Sequence, residues 1–167
     1  MTVMDAIKSR KSARAYKSVP VEPEKLAAVL EAGRLAPSAS NRQQWRFYVV
    51  TNPQVKQQLM QDCRNQKFVA EAPVCLVVCD TDDRTMSCGQ SASTVDCSIA
   101  LSFMLLEAEE LGLSCCWLGA FDAGKVRNTL NLPENETPVA VTPLGYASEP
   151  PAGRPRKALD EIVTYVK

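Results

Sequence analysis

The spacing of apolar positions along this chain changes several times, and each change predicts an element. Residues 3–9 place Val3, Ala6 and Ile7 on one helical face, with Thr2 ready to cap the first turn. A second helix is predicted from Pro23, which suits a first turn, through "EKLAAVLEAGRLA", where Leu26, Val29, Leu30 and Gly33 keep helical spacing. Pro37 stops it, and "SASNRQQ" reads as a polar loop. "WRFYVV" is aromatic and β-branched, hence a strand, and Pro53 opens a helix over "PQVKQQLMQDCRN". "PVCLVVCD", residues 73–80, is a short unbroken apolar run of the kind a central strand needs when both its faces are covered. "TDDRTMSCGQSAS" reads as a loop or irregular segment.

From about Thr94 to Leu111 the sequence is apolar on nearly every side, which predicts a core helix ended by Gly112. "SCCWLGAF" reads as strand and turn. Asp122 caps a helix running to about Leu130, and "TPVAVTPLGYA" is the last strong strand. The tail "EPPAGRPRKALDEIVTYVK" reads as loop and then a terminal segment. Without repeats or a dividing linker, the pattern predicts one domain over residues 1–167, of α/β or α+β class, around a single central sheet.

Composition narrows the chemistry. Lysine plus arginine and aspartate plus glutamate each number 19, so net charge is zero, which argues against nucleic acid or an anionic membrane as the main partner. There is no membrane-spanning run and no apolar leader, so a cytoplasmic location is expected. Seven cysteines sit mostly in apolar runs, as free buried thiols do in a reducing compartment, and none forms a Cys-x-x-Cys pair for a metal. Histidine is absent, which removes Ser-His-Asp and Cys-His catalysis. If the chain is an enzyme, a cofactor is expected to carry its chemistry. "GAFDAGKV", residues 119–126, approaches a P-loop but has valine where the Mg²⁺-binding hydroxyl belongs. No Gly-x-Gly-x-x-Gly is present, and "DTDDR" lacks the glycine and terminal glutamate of a calcium loop.

Positive charge nevertheless gathers in two places: Arg10, Lys11, Arg14 and Lys17 in and after "SRKSARAY", and Arg154, Arg156 and Lys157 in "GRPRK". Folded together, with Ser12 adding a hydroxyl, they would suit a phosphate, whose oxygens match the fork of arginine. Scattered surface charge is the competing reading.

"SRKSARAY", "LAPSASNRQQWRFYVV", "NQKFVAEAPVCLVV", "GLSCCWLGAFD", "PLGY" and "GRPRK", in that order, resemble the FMN-dependent nitroreductase family, and specifically its short members. The resemblance implies an α+β fold: a central mixed, mainly antiparallel sheet flanked by helices, in an intertwined homodimer with FMN at the subunit interface. It implies that Arg10, Ser12, Arg154 and Arg156 hold the FMN phosphate and ribityl end, with Lys11 as a further basic residue. Arg14 would reach N1 and O2 of the pyrimidine, and Asn65 its edge. Pro37, Ser38, Ala39, Ser40 and Asn41 would come from the partner subunit along the flavin, and Gly119 and Ala120 would offer backbone N–H groups near N5. In one departure, Gln44 stands where the family commonly has proline before this tryptophan.

The implied activity is hydride transfer from NAD(P)H through flavin N5 to a nitroaromatic, quinone or similar small-molecule acceptor. The flavin carries the chemistry; no side chain acts as a catalytic acid or base, and Arg14 and Gly119 support. An FMN storage or sensor protein, or a flavin-dependent dehalogenase or ring-cleaving relative, are the competing functions.

Overall fold

A computed structural model describes residues 1–167. Its centre is β2 (Val74–Asp80), buried at every position. β2 lies between β1 (Trp45–Val50) and β4 (Thr137–Gly145), and the two-residue β3 (Ser114–Cys115) completes a four-stranded sheet of order β1-β2-β4-β3. All three pairings are antiparallel. The sole parallel contact is an isolated bridge between Ser12 and Cys115.

Side chains alternate across a strand, so β2 feeds two cores. Cys75, Val77 and Cys79 pack with Leu59, Cys63, Val69 and Val126, under α3 (Pro53–Asp62), α4 (Phe68–Glu71) and α6 (Ala123–Leu130). Val74, Leu76 and Val78 pack with Val29, Leu101, Met104 and Leu105, under α2 (Pro23–Arg34) and α5 (Ala92–Glu110). α1 (Val3–Ser9) lies against α5. This is an α+β protein with helices on both faces of an antiparallel sheet.

The helices α1, α2, α3 and α6 begin where the sequence indicates, whereas the core helix α5 begins at Ala92, two residues before the expected Thr94. Thr2 and Asp5 form a reciprocal capping box on α1, and Asn52, Ser91 and Asp122 each cap a helix with a side-chain oxygen. Two approaches are close. A Cβ on Gly33 would fall 2.0 Å from Met104 Cε, and one on Gly145 would fall 2.5 Å from Cδ of Pro73. α4 is not evident in the apolar pattern: four residues are too few to show a period.

Residues 152–167 are exposed throughout and hydrogen-bond only among themselves. Leu159, Ile162, Val163, Tyr165 and Val166 are uncovered, as are Val3, Met4 and Ile7 on α1. No helix is long and apolar enough to cross a membrane.

Candidate active site

The basic segment after α1 is pinned to the sheet. The Ala13 N–H donates to the Cys115 carbonyl at 3.1 Å, and the Lys17 N–H to the Tyr146 carbonyl at 2.8 Å. Ser148 donates back to the Ala15 carbonyl at 3.1 Å. Ala13 and Tyr16 are buried by this docking, and the Tyr16 hydroxyl donates to the Ala13 carbonyl at 3.1 Å. Arg10, Ser12 and Arg14 are left on the outer side. There they line a cavity of about 490 Å³ with Lys8, Lys11, Gly153, Arg154 and Arg156. Lys11 lies along the tail: a Cβ on Gly153 would be 3.5 Å from Lys11 Cε.

Six of the ten residues lining this cavity are cations and none is a carboxylate. None of the six takes part in an ion pair. Cations gathered without counter-charge repel one another, and a dianion with several acceptor oxygens relieves that repulsion. The donor set therefore fits a phosphate-bearing cofactor. The field of these cations reaches inward. Burial pushes the Cys116 thiol up, while Arg14, the Ser12 hydroxyl and Arg10 oppose that shift.

A second cleft of about 370 Å³ shares Arg10 and Ser12 with the first, and is otherwise walled by Ser102, Leu105, Leu106 and Trp117. Trp117 explains Gly119, since a Cβ there would meet the indole ring at 3.0 Å. No apolar spacing singles out Trp117 in the sequence, since it lies in the short irregular stretch after β3. Asn65 follows Arg64 in a left-handed turn after α3, with φ of 58° and 56° respectively. The neighbouring Gln66 Nε2 reaches the Ala120 carbonyl at 3.5 Å. The structure thus brings the Asn65 turn beside Gly119 and Ala120, and gathers Arg10, Lys11, Ser12, Arg14, Arg154 and Arg156 around one cavity.

Pro37, Ser38, Ala39, Ser40 and Asn41 do not line that cavity. Their loop lies at the N-terminal end of α5, where the Ala39 N–H donates to Asp96 Oδ1 at 3.0 Å. Ser40, Asn41 and Gln43 have φ of 56°, 52° and 55°. Non-glycine residues in this region cost on the order of 1 kcal/mol or more each, so contacts outside the loop must hold it. The Gln44 carbonyl accepts from the Thr81 N–H at 3.2 Å, which ties the end of this loop to the end of β2.

The sequence model of the nitroreductase family matches residues 7–66 and 56–146. A protein of Methanothermobacter thermautotrophicus named as an NADH dehydrogenase/NAD(P)H nitroreductase is 33% identical, over 92% of this chain and 82% of its own. The crystal structure of a nitroreductase family protein from Clostridium difficile superposes with a TM-score of 0.90 at 32% identity, covering 100% of this chain and 99% of that one. The Vibrio harveyi NADPH:FMN oxidoreductase, solved with NAD⁺, gives a TM-score of 0.90 at 26% identity over 99% of this chain and 77% of its own. The fold is that of the nitroreductases. The chain belongs to the nitroreductase family, a family of oxidoreductase enzymes.

Proposed function

We propose that this protein is an FMN-dependent NAD(P)H oxidoreductase that reduces nitroaromatics, quinones or similar electrophiles. The carrying observation is the cavity in which six unpaired cations from two distant parts of the chain face one another with no carboxylate among them. Arg10, Ser12, Arg154 and Arg156 hold the FMN phosphate and ribityl end, with Lys11 beside them. Arg14 opposes the negative charge that two-electron reduction leaves on the pyrimidine, which raises the reduction potential. Asn65 meets the pyrimidine edge, and the backbone N–H groups of Gly119 and Ala120 face N5. FMN, when bound, supplies the hydride-accepting and hydride-donating centre. The chain has no histidine to move a proton, in keeping with chemistry carried by the cofactor.

The single domain, residues 1–167, works as a homodimer in this reading. Support comes from the uncovered tail residues, the exposed face of α1, and the apolar groove formed by Met1, Val3, Ala6, Ala32, Phe103 and Leu106. Pro37–Asn41 of one subunit then meets the cavity of the other. NADH or NADPH and the acceptor share one open face in turn, so kinetics are ping-pong. The test is direct. The purified protein should carry FMN, its flavin absorbance should bleach on addition of NADH or NADPH, and a quinone should restore it. A yellow protein that no nicotinamide bleaches is a flavin carrier, and a protein that takes up no FMN overturns the proposal.

A further inference from the structure

The Ala39 peptide is held from both sides by side chains of other elements. Its N–H donates to Asp96 Oδ1 at 3.0 Å, and its carbonyl accepts from Arg84 Nη2 at 3.2 Å. Asp96 is buried in α5, and that backbone N–H is its hydrogen-bond partner. Arg84 Nε is buried with no acceptor, so the guanidinium reaches the loop through its far nitrogen alone. Arg84 is itself anchored to the start of the same helix. Its carbonyl accepts from the Ala92 N–H at 2.8 Å, and Ser93 Oγ donates to the Asp82 carbonyl at 2.7 Å. Both jaws therefore stand on one rigid base.

What they hold is a short turn whose other ties are mostly its own, with the Asn41 N–H donating to the Ser38 carbonyl at 2.9 Å and one outside ion pair, Arg42 to Asp82 at 3.8 Å. Ser40, Asn41 and Gln43 all sit at positive φ, and no proline precedes Trp45 to stiffen the exit. The loop's own bonds turn inward: Gln43 N–H to Ser38 Oγ at 3.0 Å, and Gln43 Nε2 to the Asn41 carbonyl at 3.1 Å. Ser40 is left exposed with its hydroxyl uncommitted. A buried carboxylate devoted to one peptide of an exposed loop is a poor stability device, because an apolar residue would fill the same space at less desolvation cost. It is a good device for fixing where Ser40 and Asn41 stand.

We propose that Asp96 and Arg84 are positioning residues that lock the Ala39 peptide and thereby set how Ser40 and Asn41 meet the flavin bound by the other subunit. This rests on the reading above that the Pro37–Asn41 loop lies along that cofactor. Loosening the clamp then impairs turnover more than FMN binding, which the cation cavity supplies. Misplacement by about an ångström is enough for a loss of roughly tenfold to a hundredfold in kcat.

The experiment uses the full-length FMN-loaded protein, with NADH or NADPH and p-benzoquinone as substrates. Asp96→Ala and Arg84→Gln should lower kcat and alter the visible circular dichroism of the flavin while FMN occupancy holds, and the Ala39 amide should exchange faster. Asp96→Asn keeps an oxygen able to accept from Ala39, so it should recover most of kcat and the wild-type dichroism. The clamp is overturned if Asp96→Ala and Arg84→Gln keep both readouts, or if Asp96→Asn is as impaired as Asp96→Ala. Should Asp96→Ala fail to fold, Arg84→Gln, on a partly exposed loop, decides by the same readouts. A wild-type chain that binds no FMN overturns instead the reading on which the clamp rests, before any variant is compared.

Discussion

The Ala13 N–H donates to the Cys115 carbonyl at 3.1 Å, and through that bond a charged segment with no regular structure of its own becomes part of the sheet. Ser12 bridges Cys115 beside it. The alternative, a basic segment loose in water, would scatter its cations. Docked, it turns Arg10 and Arg14 toward Arg154 and Arg156.

The cation cavity should recognise phosphate. Charge-assisted hydrogen bonds are worth roughly 1.5–3 kcal/mol each, so Arg156→Ala should weaken FMN by about tenfold to a hundredfold and leave riboflavin nearly unchanged. Flavin fluorescence titrations measure both. Equal affinity of the wild type for FMN and riboflavin would remove the phosphate assignment. Arg14→Ala should instead lower the flavin midpoint potential and cost less FMN affinity than Arg156→Ala.

Subunit sharing makes two crippled chains useful to each other. Arg14→Ala and Asn41→Ala chains, unfolded and refolded together, should recover about a quarter of wild-type activity, since half the dimers regain one of two sites. Mixtures as inactive as their parents, where wild type refolds well, would show that each flavin belongs to one chain. An FMN-loaded monomer in sedimentation at micromolar concentration would exclude the dimer outright.

Thiol chemistry should single out one cysteine. Six of the seven are buried and Cys88 alone is exposed. A thiol reagent under native conditions should modify one cysteine rapidly, and Cys88→Ser should abolish that phase. A second fast thiol would mean that part of the core opens readily.

Burial pushes the thiols of Cys63, Cys79, Cys97 and Cys115 up to about 12. Unfolded thiols ionise near 8.5, so between roughly pH 9 and 12 the unfolded chain has lost protons that the folded one retains. Stability must then fall as pH rises through that window. Urea midpoints should drop steadily from pH 8 upward, and Cys97→Ala should flatten the slope. A constant midpoint would show thiolates tolerated in the folded core.

Gly145→Ala should destabilise the fold by about 1–3 kcal/mol, because the new methyl meets the rigid ring of Pro73 at 2.5 Å. Thermal melts would register it. An unchanged melting temperature would mean that β2 and β4 shift apart more easily than their register implies.

Much of this was legible along the chain because local rules decided it. β1 falls on "WRFYVV", and α6 begins after its Asp122 cap, as periodicity and capping predict. The core helix begins at Ala92 rather than Thr94 because Ser91, not Thr94, supplies the capping oxygen. The strand over "SCCWLGAF" shrinks to Ser114 and Cys115, with the residues beyond it bridging β4 only once, at Leu118. The sheet is wholly antiparallel where a mixed, mainly antiparallel one was expected, and the one parallel contact lies outside its strands. The cations were visible as two clusters, but their meeting depends on backbone bonds that no pattern announces. Asp96 and Arg84 were invisible for a related reason: they act on a peptide group, and a peptide group has no sequence.

The cavity is built from cations near residue 10 and near residue 154, so it can exist only once both have been made and folded. A nascent chain lacking "GRPRK" can form every strand of the sheet and still offer an anion half a grip. If FMN binds there as proposed, cofactor loading would be an act of completion, adding stability only to chains that carry both clusters, correctly docked.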